Sequence, residues 1–367
     1  MAASQNSGLE GRSVKMLAGL LAVFAADSSP QQVILVADVG VDDAAGLLLA
    51  LSSPSLEVLG IAATFGCHKD VEVTARNAER LLAAANRSSV PVYRGAPFPL
   101  GSTDLMHGDG SYVHGADGFG NLLDDDASCS PAETGGVSAA EFIAQTARSA
   151  PGKVVLASFS PLTNVALALA IEPRLPMLLR SLVAMGGAVY CAGNASPLAE
   201  ANFMHDAHAA RVVVHAFAQA GSLVLAPLDV TNPTIVAPEF IAQMSAGGKA
   251  AAMFTSAWPT YQKAYCHLAG ECDGTPIHDA HPVMYLVAPQ LYTRTEQLKL
   301  SVVSSQVGDP AHGMSTFDRR GRRADTGLEG GREADARGSV TVLLEVDRLA
   351  FVKLLTRSIR ALASRLP

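Results

Sequence analysis

The sequence predicts an α/β protein with a largely parallel, Rossmann-like central sheet and helices on both faces. Apolar runs of strand length alternate with helix-length stretches along most of the 367 residues, and this alternation is typical of parallel sheets with crossover helices. Hydrophobic residues make up 49% of the chain and charged residues 17%, which is enough apolar material for a large buried core. Polar residues cluster where the predicted strands end, and that is the edge at which such sheets bind ligands.

The predicted elements follow one another as pairs of strand and helix. The first strand is VILVADV, and a helix begins near Asp42, where acidic side chains favour a helix N-terminus. The following helix, KDVEVTARNAERLLAAANR, has apolar residues at helical spacing. In chain order, the other predicted elements are the strands LEVLGIAATFG, VPVYRG, KVVLASFS, SLVAMGGAVY and SLVLAPLDV, the helices SAAEFIAQTARSA, PLTNVALALA and DAHAARVVVHAFAQA, and a closing strand and helix in SVTVLLEVDRLAFVKLLTRSIRAL. Residues 305–338, rich in Gly, Arg and Asp, predict a loop or a hairpin excursion.

The chain divides into a leader, residues 1–30, and one domain, residues 31–367. Within the leader, Arg12 and Lys15 precede the apolar run MLAGLLAVFAA, which resembles a weak signal peptide but is too short to span a membrane. We expect a disordered or surface-packed leader on a cytoplasmic protein; secretion is the alternative, if residues 12–26 act as a signal peptide.

Charge and cysteine content narrow the partners and the compartment. The formal net charge of −7 argues against a nucleic-acid binder, which would carry a basic face, and it suits a small or neutral substrate. No segment after the leader predicts a membrane span. Five cysteines are too few and too scattered for a disulfide scaffold, so mostly free thiols are expected, although Cys266 and Cys272 could pair.

Three aspartates crowd the end of the first strand. Asp38, Asp42 and Asp43 fall within six positions, and their mutual repulsion is costly unless water or a cation lies among them. Oxygen ligands in a tight turn suit a hard cation such as Ca²⁺, whereas a Zn²⁺ site would need His or Cys at short spacing. The alternative is a solvated helix N-terminus, where Asp is favoured in any case.

Two further stretches carry candidate functional residues. Asn194, Glu200 and Asn202 follow an apolar strand, and this mixture of amides and a carboxylate can hold the hydroxyls of a sugar; an exposed polar loop is the alternative. His278 stands beside Asp279 in the segment PIHDAHP. A histidine next to a carboxylate is a candidate proton donor or metal partner, although helix starts often look the same.

These segments, taken in order, resemble the inosine-uridine preferring nucleoside hydrolase family. The resemblance rests on five motifs and extends from about Val33 to the end of the chain: VADVGVDDA, VHGADGFGN, SPLTNVALAL, MGGAVYCAGNASPLAEAN and IHDAHP. It implies the nucleoside hydrolase fold for residues 31–367. It also implies Ca²⁺-dependent hydrolysis of the N-glycosidic bond of ribonucleosides, and a homodimer or homotetramer.

The resemblance also implies roles for individual residues. Calcium ligands would be the carboxylates of Asp38, Asp43 and Asp279 and a backbone carbonyl at Phe159. Asp38 would also act as general base on a metal-positioned water, before an oxocarbenium-like transition state, and His278 would be the acid for the leaving base. The implied substrate-binding residues are Asp42 at the 2′-hydroxyl, Asn202 at the 3′-hydroxyl, Asn194 and Glu200 at the 5′-hydroxyl, Met185 along the sugar, His114 over the base, and Cys67 where the family has a sugar-contacting Asn. Trp258, Tyr261 and Tyr265 would form an aromatic lid or simply pack in the core.

The chain departs from the family pattern at several positions. Val36 and Val39 replace an Asp and a Pro of the D-x-D-P-G-x-D-D motif. Cys67 replaces an Asn, and Ala201 replaces a Phe. The segment HDAHP occurs where the family usually has HDP. These changes leave two alternatives to ribonucleoside hydrolysis. The first is a degenerate relative that binds a ribosyl ligand without turnover, and the second is a hydrolase of another ribosyl compound. The sequence does not determine the base preference.

Overall fold

Helices and strands alternate through the computed structural model of the chain as the sequence predicts. It describes residues 29–102, 109–122, 134–317 and 338–364. The strands, β1 to β12, are Gln31–Ala37, Leu56–Ala63, Val92–Arg94, Val154–Ser158, Ser181–Met185, Leu223–Ala226, Ile235–Val236, Thr275–Pro276, Tyr292–Leu298, Leu300–Val302, Ser315–Phe317 and Val340–Val346. The α-helices, α1 to α13, are Val41–Ser52, Val71–Ala84, Ser111–His114, Ala139–Ser149, Thr163–Ile171, Leu175–Leu178, Ala201–His205, Ala207–Ala220, Leu228–Thr231, Pro238–Met244, Lys249–Ala269, Ala280–Val287 and Arg348–Arg360. Each predicted strand and helix is present, but the predicted strands SLVAMGGAVY and SLVLAPLDV end early, at Met185 and Ala226, and Leu228–Thr231 is helical.

The central sheet has eight strands in the order β3-β2-β1-β4-β5-β6-β12-β9. All neighbours are parallel except β12 and β9, which run antiparallel. The chain leaves β1 toward β2 and β3 and then returns to β4 on the other side of β1. That reversal makes the carboxyl ends of β1 and β4 the switch point at which open α/β sheets bind ligands.

Strand β1 is buried on both faces. Val33, Leu35 and Ala37 belong to one hydrophobic cluster of the core and Ile34 and Val36 to the other, because successive side chains of a strand point to opposite faces. Helices cover both clusters, which explains why β1 is a nearly continuous apolar run. The predicted Rossmann-like arrangement is confirmed.

Three segments singled out by the sequence lie wholly or partly outside the described residues. Of the predicted leader only residues 29 and 30 are described, and residues 31–367 form one compact unit. In the predicted excursion at 305–338, β11 pairs antiparallel with β10, and residues 318–337 lie outside the description, as does Cys129. Among the helices that the structure describes, none combines the length and apolar character needed to cross a bilayer.

Candidate active site

Four carboxylates converge at the carboxyl end of β1. Asp38 follows the strand, Asp42 and Asp43 lie in the first turn of α1, and Asp279 is the N-cap of α12. Their exposed fractions are 3%, 2%, 0% and 7%, so the alternative of a solvated helix N-terminus is wrong. Carboxylate oxygens of Asp42, Asp43 and Asp279 lie within 4.8 Å of one another, as do ligand atoms of Asp38, Asp43 and Cys67. We call these five residues the acidic centre.

Backbone N–H groups fix the orientation of the carboxylates. Oδ2 of Asp38 accepts a hydrogen bond from the Cys67 N–H at 2.6 Å. Oδ2 of Asp43 accepts one from the Gly40 N–H at 2.9 Å, which caps α1. The approach of Cys67 to Asp38 requires glycine at position 66, where φ is +147° and a Cβ would lie 1.9 Å from Oδ2 of Asp38.

Among the residues that the structure describes, the four carboxylates have no lysine or arginine as a partner. Across the described part of the chain, no lysine or arginine reaches any of the four within 4.0 Å, and the nearest imidazole, His114, lies 4.0 Å from Asp42. Burial raises the pKa of Asp38 and Asp279 well above the usual range. Burial and repulsion from Asp42 raise the pKa of Asp43 to about 7.

The donor set fits a divalent cation. Oδ1 of Asp43 is buried and receives no hydrogen bond from the described residues, although an ionised carboxylate oxygen is a strong acceptor. Two facing carboxylates such as Asp43 and Asp279 can share a contact only if a proton or a cation lies between them. Buried acceptor oxygens without a donor are what a metal ion satisfies, so the centre is a candidate metal site.

The acidic centre forms the floor of a cavity of about 390 Å³. Fourteen of the residues singled out by the sequence line this cavity: Asp38, Asp42, Cys67, His114, Phe159, Met185, Asn194, Glu200, Ala201, Asn202, Tyr261, Tyr265, His278 and Asp279. Asp43 lies behind the lining and is fully buried. The volume is in the range of small-molecule sites, so residues up to 241 positions apart in sequence share one site.

One end of the cavity carries Glu200 and two asparagines. Glu200 caps α7 and accepts hydrogen bonds from the N–H groups of Gly187, Asn202 and Phe203 at 2.9, 2.8 and 3.1 Å. Burial raises its pKa to about 6. These three donors hold the carboxylate in one orientation, so this end of the cavity is rigid.

The amide side chains are held by the same segment. The Asn202 amide group donates to the sulfur of Met185 at 3.3 Å, and Asn194 accepts from the Ala201 N–H at 3.0 Å. Ala201, where the family pattern has Phe, opens α7 at this point and itself lines the cavity. The small side chain therefore leaves this end wider than a Phe would.

His278 also lines the cavity and lies between two hydroxyl groups. Its Nδ1 is 2.7 Å from the Thr231 hydroxyl and its Nε2 is 2.7 Å from the Tyr265 hydroxyl, while its backbone N–H donates to Oδ2 of Asp42 at 3.2 Å. Burial lowers the pKa of His278 to about 4, so the imidazole is neutral at neutral pH. Thr231 was missed by the sequence, because it is 47 positions away and belongs to no recognisable motif.

His114, the last residue of α3, contacts the first residue of α1. Its Nδ1 accepts a hydrogen bond from the Val41 N–H at 3.1 Å, and the neutral ring therefore carries its proton on Nε2. Burial lowers the pKa of His114. Gly40 makes the contact possible, because a Cβ there would lie 2.5 Å from both Nδ1 of His114 and Sγ of Cys67.

The predicted aromatic lid divides into two parts. Tyr261 and Tyr265 line the cavity, with ring centroids 4.8 Å apart. Trp258 is 2% exposed and packs edge-on against Phe254, so for this residue the lid prediction is wrong and the core alternative holds. Trp258 shares the helix face of the two tyrosines, three positions before Tyr261, but it lies deeper in the core, where its ring also packs 5.2 Å from that of Tyr261.

The rim of the cavity contains a disulfide that the sequence left open. Cys266 and Cys272 are bonded, with Cα atoms 4.4 Å apart, and Leu268 and Glu271 between them line the cavity. Of the other described cysteines, Cys67 is buried and Cys191 is exposed, both as free thiols. The one pairing that the sequence allowed is therefore present, and both other described cysteines are free as expected.

Two departures from the family pattern are absorbed by the core. Val36 and Val39 are both 0% exposed; the Val36 carbonyl accepts from the Phe159 N–H at 3.0 Å, and the Val39 carbonyl accepts from Asn77 at 3.2 Å. Neither residue lines the cavity. The acidic centre is therefore built without a carboxylate at position 36.

Comparison with known proteins identifies this combination of fold and cavity. The model of the family described as inosine-uridine preferring nucleoside hydrolase matches residues 33–353. An uncharacterized protein of Schizosaccharomyces pombe is 35% identical over 288 residues, which cover 78% of this chain and 89% of that protein. The pyrimidine-specific ribonucleoside hydrolase RihA of Klebsiella pneumoniae is 34% identical over 325 residues, which cover 87% of this chain and 95% of that one.

A solved structure shares the whole architecture. The purine-preferring ribonucleoside hydrolase from Gardnerella vaginalis matches with a TM-score of 0.79 and 27% identity, covering 92% of this chain and 100% of that one. The fold and the site thus define a hydrolase of N-glycosyl bonds in ribonucleosides. The chain belongs to the inosine-uridine preferring nucleoside hydrolase family, and the resemblance seen in the sequence is confirmed.

Proposed function

We propose that the protein is a Ca²⁺-dependent ribonucleoside hydrolase that releases ribose and a free base, with Asp38 as the general base. The observation that carries the proposal is the acidic centre. Its four buried carboxylates, unpaired with any lysine or arginine of the described residues, lie at or directly behind the floor of a cavity of about 390 Å³. Residues 31–367 would constitute the catalytic domain.

The proposed ion is held by carboxylates from two segments of the chain. Asp38, Asp43 and Asp279 would be its side-chain ligands, and the carbonyl of Phe159, directly after β4, would be the fourth. When bound, Ca²⁺ would neutralise the carboxylates and orient water and ribose hydroxyls beneath the anomeric carbon. The preference for Ca²⁺ over a softer cation follows from the oxygen-only character of these four ligands.

The chain's own groups then account for the proton transfers. Asp38 takes a proton from the attacking water as the C1′–O bond forms and the C1′–N bond breaks. The leaving base receives the electron pair of that bond together with a proton. His278 is the proposed donor. Because it is neutral beforehand, it first takes up a proton from solvent; the imidazolium then gives its Nε2 proton to the Tyr265 hydroxyl 2.7 Å away, which passes its own proton to the base and is left unchanged.

The remaining cavity residues bind the substrate. Asp42 is proposed to hold the 2′-hydroxyl, Asn202 the 3′-hydroxyl, and Glu200 with Asn194 the 5′-hydroxyl. Met185 would pack along the sugar. His114 and the two tyrosines would surround the base. Carboxylates around the sugar stabilise the positive charge of an oxocarbenium-like transition state.

The first test is release of reducing sugar from inosine, uridine, adenosine and cytidine, with and without a calcium chelator. Chelator-sensitive release supports the proposal and gives the base preference, on which a pyrimidine-specific and a purine-preferring relative differ. Absence of release, together with calorimetric binding of Ca²⁺ and ribose, would instead favour the degenerate binder.

Cleavage of another ribosyl compound alone would favour the second alternative. Cys67 favours the degenerate relative most specifically, since a thiol is a poor substitute for an amide as a hydrogen-bonding group. A homodimer or homotetramer is proposed on the resemblance. A cytoplasmic location is proposed from the weak signal-peptide character of the leader, with secretion as the alternative if residues 12–26 act as a signal peptide. Light scattering on the full chain measures the oligomeric state.

A further inference from the structure

The side chain of Cys67 lies inside the acidic centre. Its Sγ is 3.4 Å from Oδ2 of Asp43, and its ligand atom lies within 4.8 Å of carboxylate oxygens of both Asp38 and Asp43. The residue is 7% exposed and lines the cavity. The thiol is therefore both next to the carboxylates and accessible from the space where ligands enter.

The separation of sulfur and oxygen matches two ligands of one ion. In a tetrahedral site, a sulfur at about 2.3 Å and an oxygen at about 2.1 Å from the same Zn²⁺ lie about 3.6 Å apart. In the structure the Cys67 thiol donates a hydrogen bond to Oδ2 of Asp43 at 3.4 Å, a separation close to this value, so a cation could replace the thiol proton between the two atoms. Small adjustments of two side chains would therefore suffice to place both atoms around a single cation.

Asp43 is shared between two possible ligand groups. Asp38, Asp43 and Cys67 provide oxygen, oxygen and sulfur, whereas Asp42, Asp43 and Asp279 provide oxygen only. Oδ1 of Asp43 receives no hydrogen bond from the described residues. A second cation of different softness would thus compete with Ca²⁺ for the same carboxylate.

We propose that Cys67 makes the acidic centre a binding site for thiophilic divalent cations such as Zn²⁺, Cd²⁺ and Co²⁺, which bind its sulfur together with Asp38 and Asp43. Ca²⁺ takes oxygen ligands and leaves the sulfur uncoordinated. On binding of a thiophilic ion, the thiol proton passes to solvent and the metal–sulfur bond forms. The inference rests on the metal site of the proposed function but not on turnover.

The test is a Co²⁺ titration of the full-length protein followed by absorption in the near ultraviolet. A bond between Co²⁺ and a thiolate gives a sulfur-to-cobalt charge-transfer band, which oxygen ligands do not give. The titration contains no thiol reductant, because such a reductant would itself bind cobalt. Calorimetry with Ca²⁺ and with Zn²⁺ on the same samples measures the two affinities independently of the band.

The matched variants are Cys67→Asn, which replaces sulfur by an amide oxygen, and Cys191→Ser, which removes the exposed free thiol. We expect the band in the wild type and in Cys191→Ser and its loss in Cys67→Asn. We also expect Cys67→Asn to retain Ca²⁺ binding while its Zn²⁺ affinity falls at least tenfold. Cys67→Ser, which keeps the side-chain size, covers the case in which the asparagine does not fit.

Two outcomes would overturn the inference alone: Co²⁺ binding to the wild type without the band, or a band that survives in both Cys67 variants. In either case Ca²⁺ binding would still stand. Failure of the wild type to bind any of the cations would instead remove the metal site on which the proposed function rests. The two failures are therefore distinguishable.

Discussion

The acidic centre and Glu172 differ in whether the protein supplies a cationic partner to a buried carboxylate. The Glu172 side chain, 6% exposed, accepts hydrogen bonds from Arg148 at 2.7 Å and from Arg174 at 3.0 Å. Hydrogen bonds from Arg174 and Arg148 lower its pKa to about 2. At the acidic centre no arginine or lysine of the described chain is present, and burial raises the pKa of Asp38 and Asp43.

The difference indicates what each carboxylate is for. At Glu172 the protein supplies its own cations, so the negative charge is neutralised as soon as the chain folds. At the acidic centre no lysine or arginine of the described residues neutralises the carboxylates, so a cation from solution can bind there. An uncompensated cluster of this kind costs folding free energy, which a site evolved only for stability would not retain.

The largest expected effect comes from Asp38. Replacing it by Asn removes the proposed general base while keeping the size of the side chain and an acceptor for the Cys67 N–H. We expect kcat to fall on the order of 10³-fold, measured as reducing sugar released from the best ribonucleoside. Glu172→Gln is the matched control and should retain wild-type kcat. An Asp38→Asn variant within tenfold of the wild type would remove Asp38 from the mechanism.

The next effect is on stability as a function of pH. Asp43 has a pKa of about 7 in the folded protein against 3.8 ordinarily, so between these values the folded state binds more protons than the unfolded state. The resulting gain in the free energy of unfolding is complete below pH 3.8 and is lost as the pH rises through about 7. The Tm of the chelated protein should therefore fall by a few degrees from slightly acid to slightly alkaline pH, as measured by calorimetry.

Added Ca²⁺ and the Asp43→Asn variant are the controls for this measurement. Calcium should remove most of the fall in Tm, because a bound cation neutralises the carboxylates over the whole range. The variant should show a smaller fall than the wild type even when chelated. Equal pH dependence in all three samples would contradict the assignment of uncompensated charge to the acidic centre.

A smaller effect is expected at Glu200. Its carboxylate is an intermediate case between Glu172 and the acidic centre, because it has hydrogen-bond donors but no cationic side chain among the described residues. Three backbone N–H groups hold it, and its pKa is raised only to about 6. Glu200→Gln should raise KM for a ribonucleoside about tenfold, since a lost hydrogen bond to a charged group costs about 1.5 kcal/mol. A 5′-deoxyribonucleoside provides the control, because the variant should lose nothing further against it. Equal losses with both substrates would refute contact with the 5′-hydroxyl.

The smallest effect is the stability change in Glu172→Gln itself. The pKa of Glu172 is lowered to about 2. The contribution of this residue to the free energy of unfolding is therefore present above pH 4.5, its ordinary pKa, and is lost as the pH falls through about 2. The variant should therefore have a slightly lower Tm than the wild type at neutral pH, and the difference should shrink in strong acid. A higher Tm for the variant would show that the arginines are not a net stabilising partner.

The sequence predicted the features that depend on local pattern. The alternation of strands and helices, the burial of β1 and the position of the aspartates at its end all follow from residue periodicity and from the resemblance to the family. The cavity gathers the predicted residues because parallel strands bring their carboxyl ends to one edge. Their individual roles stay predictions.

Contacts between distant segments were not predictable in this way. Cys67 meets Asp43 across 24 positions and Thr231 meets His278 across 47, and no periodicity links such pairs. The same limit explains Trp258, whose position depends on how α11 packs. Cysteine spacing allowed the Cys266–Cys272 bond but gave no preference for it, because a disulfide requires two Cα atoms at a suitable distance.

Gly66 sets a limit on how this chain can vary. Its φ of +147° and the 1.9 Å that would separate a new Cβ from Oδ2 of Asp38 mean that any side chain would displace the aspartate itself. A random-mutagenesis library selected for growth on a nucleoside should therefore return glycine at position 66 almost without exception. Gly152 also has a positive φ, +72°, but a Cβ there would meet nothing within 4 Å, so this position should accept residues such as Asn and Asp that adopt the left-handed region. The substitutions recovered at the two glycine positions would thus show, without an enzyme assay, whether the backbone around Asp38 must keep its geometry.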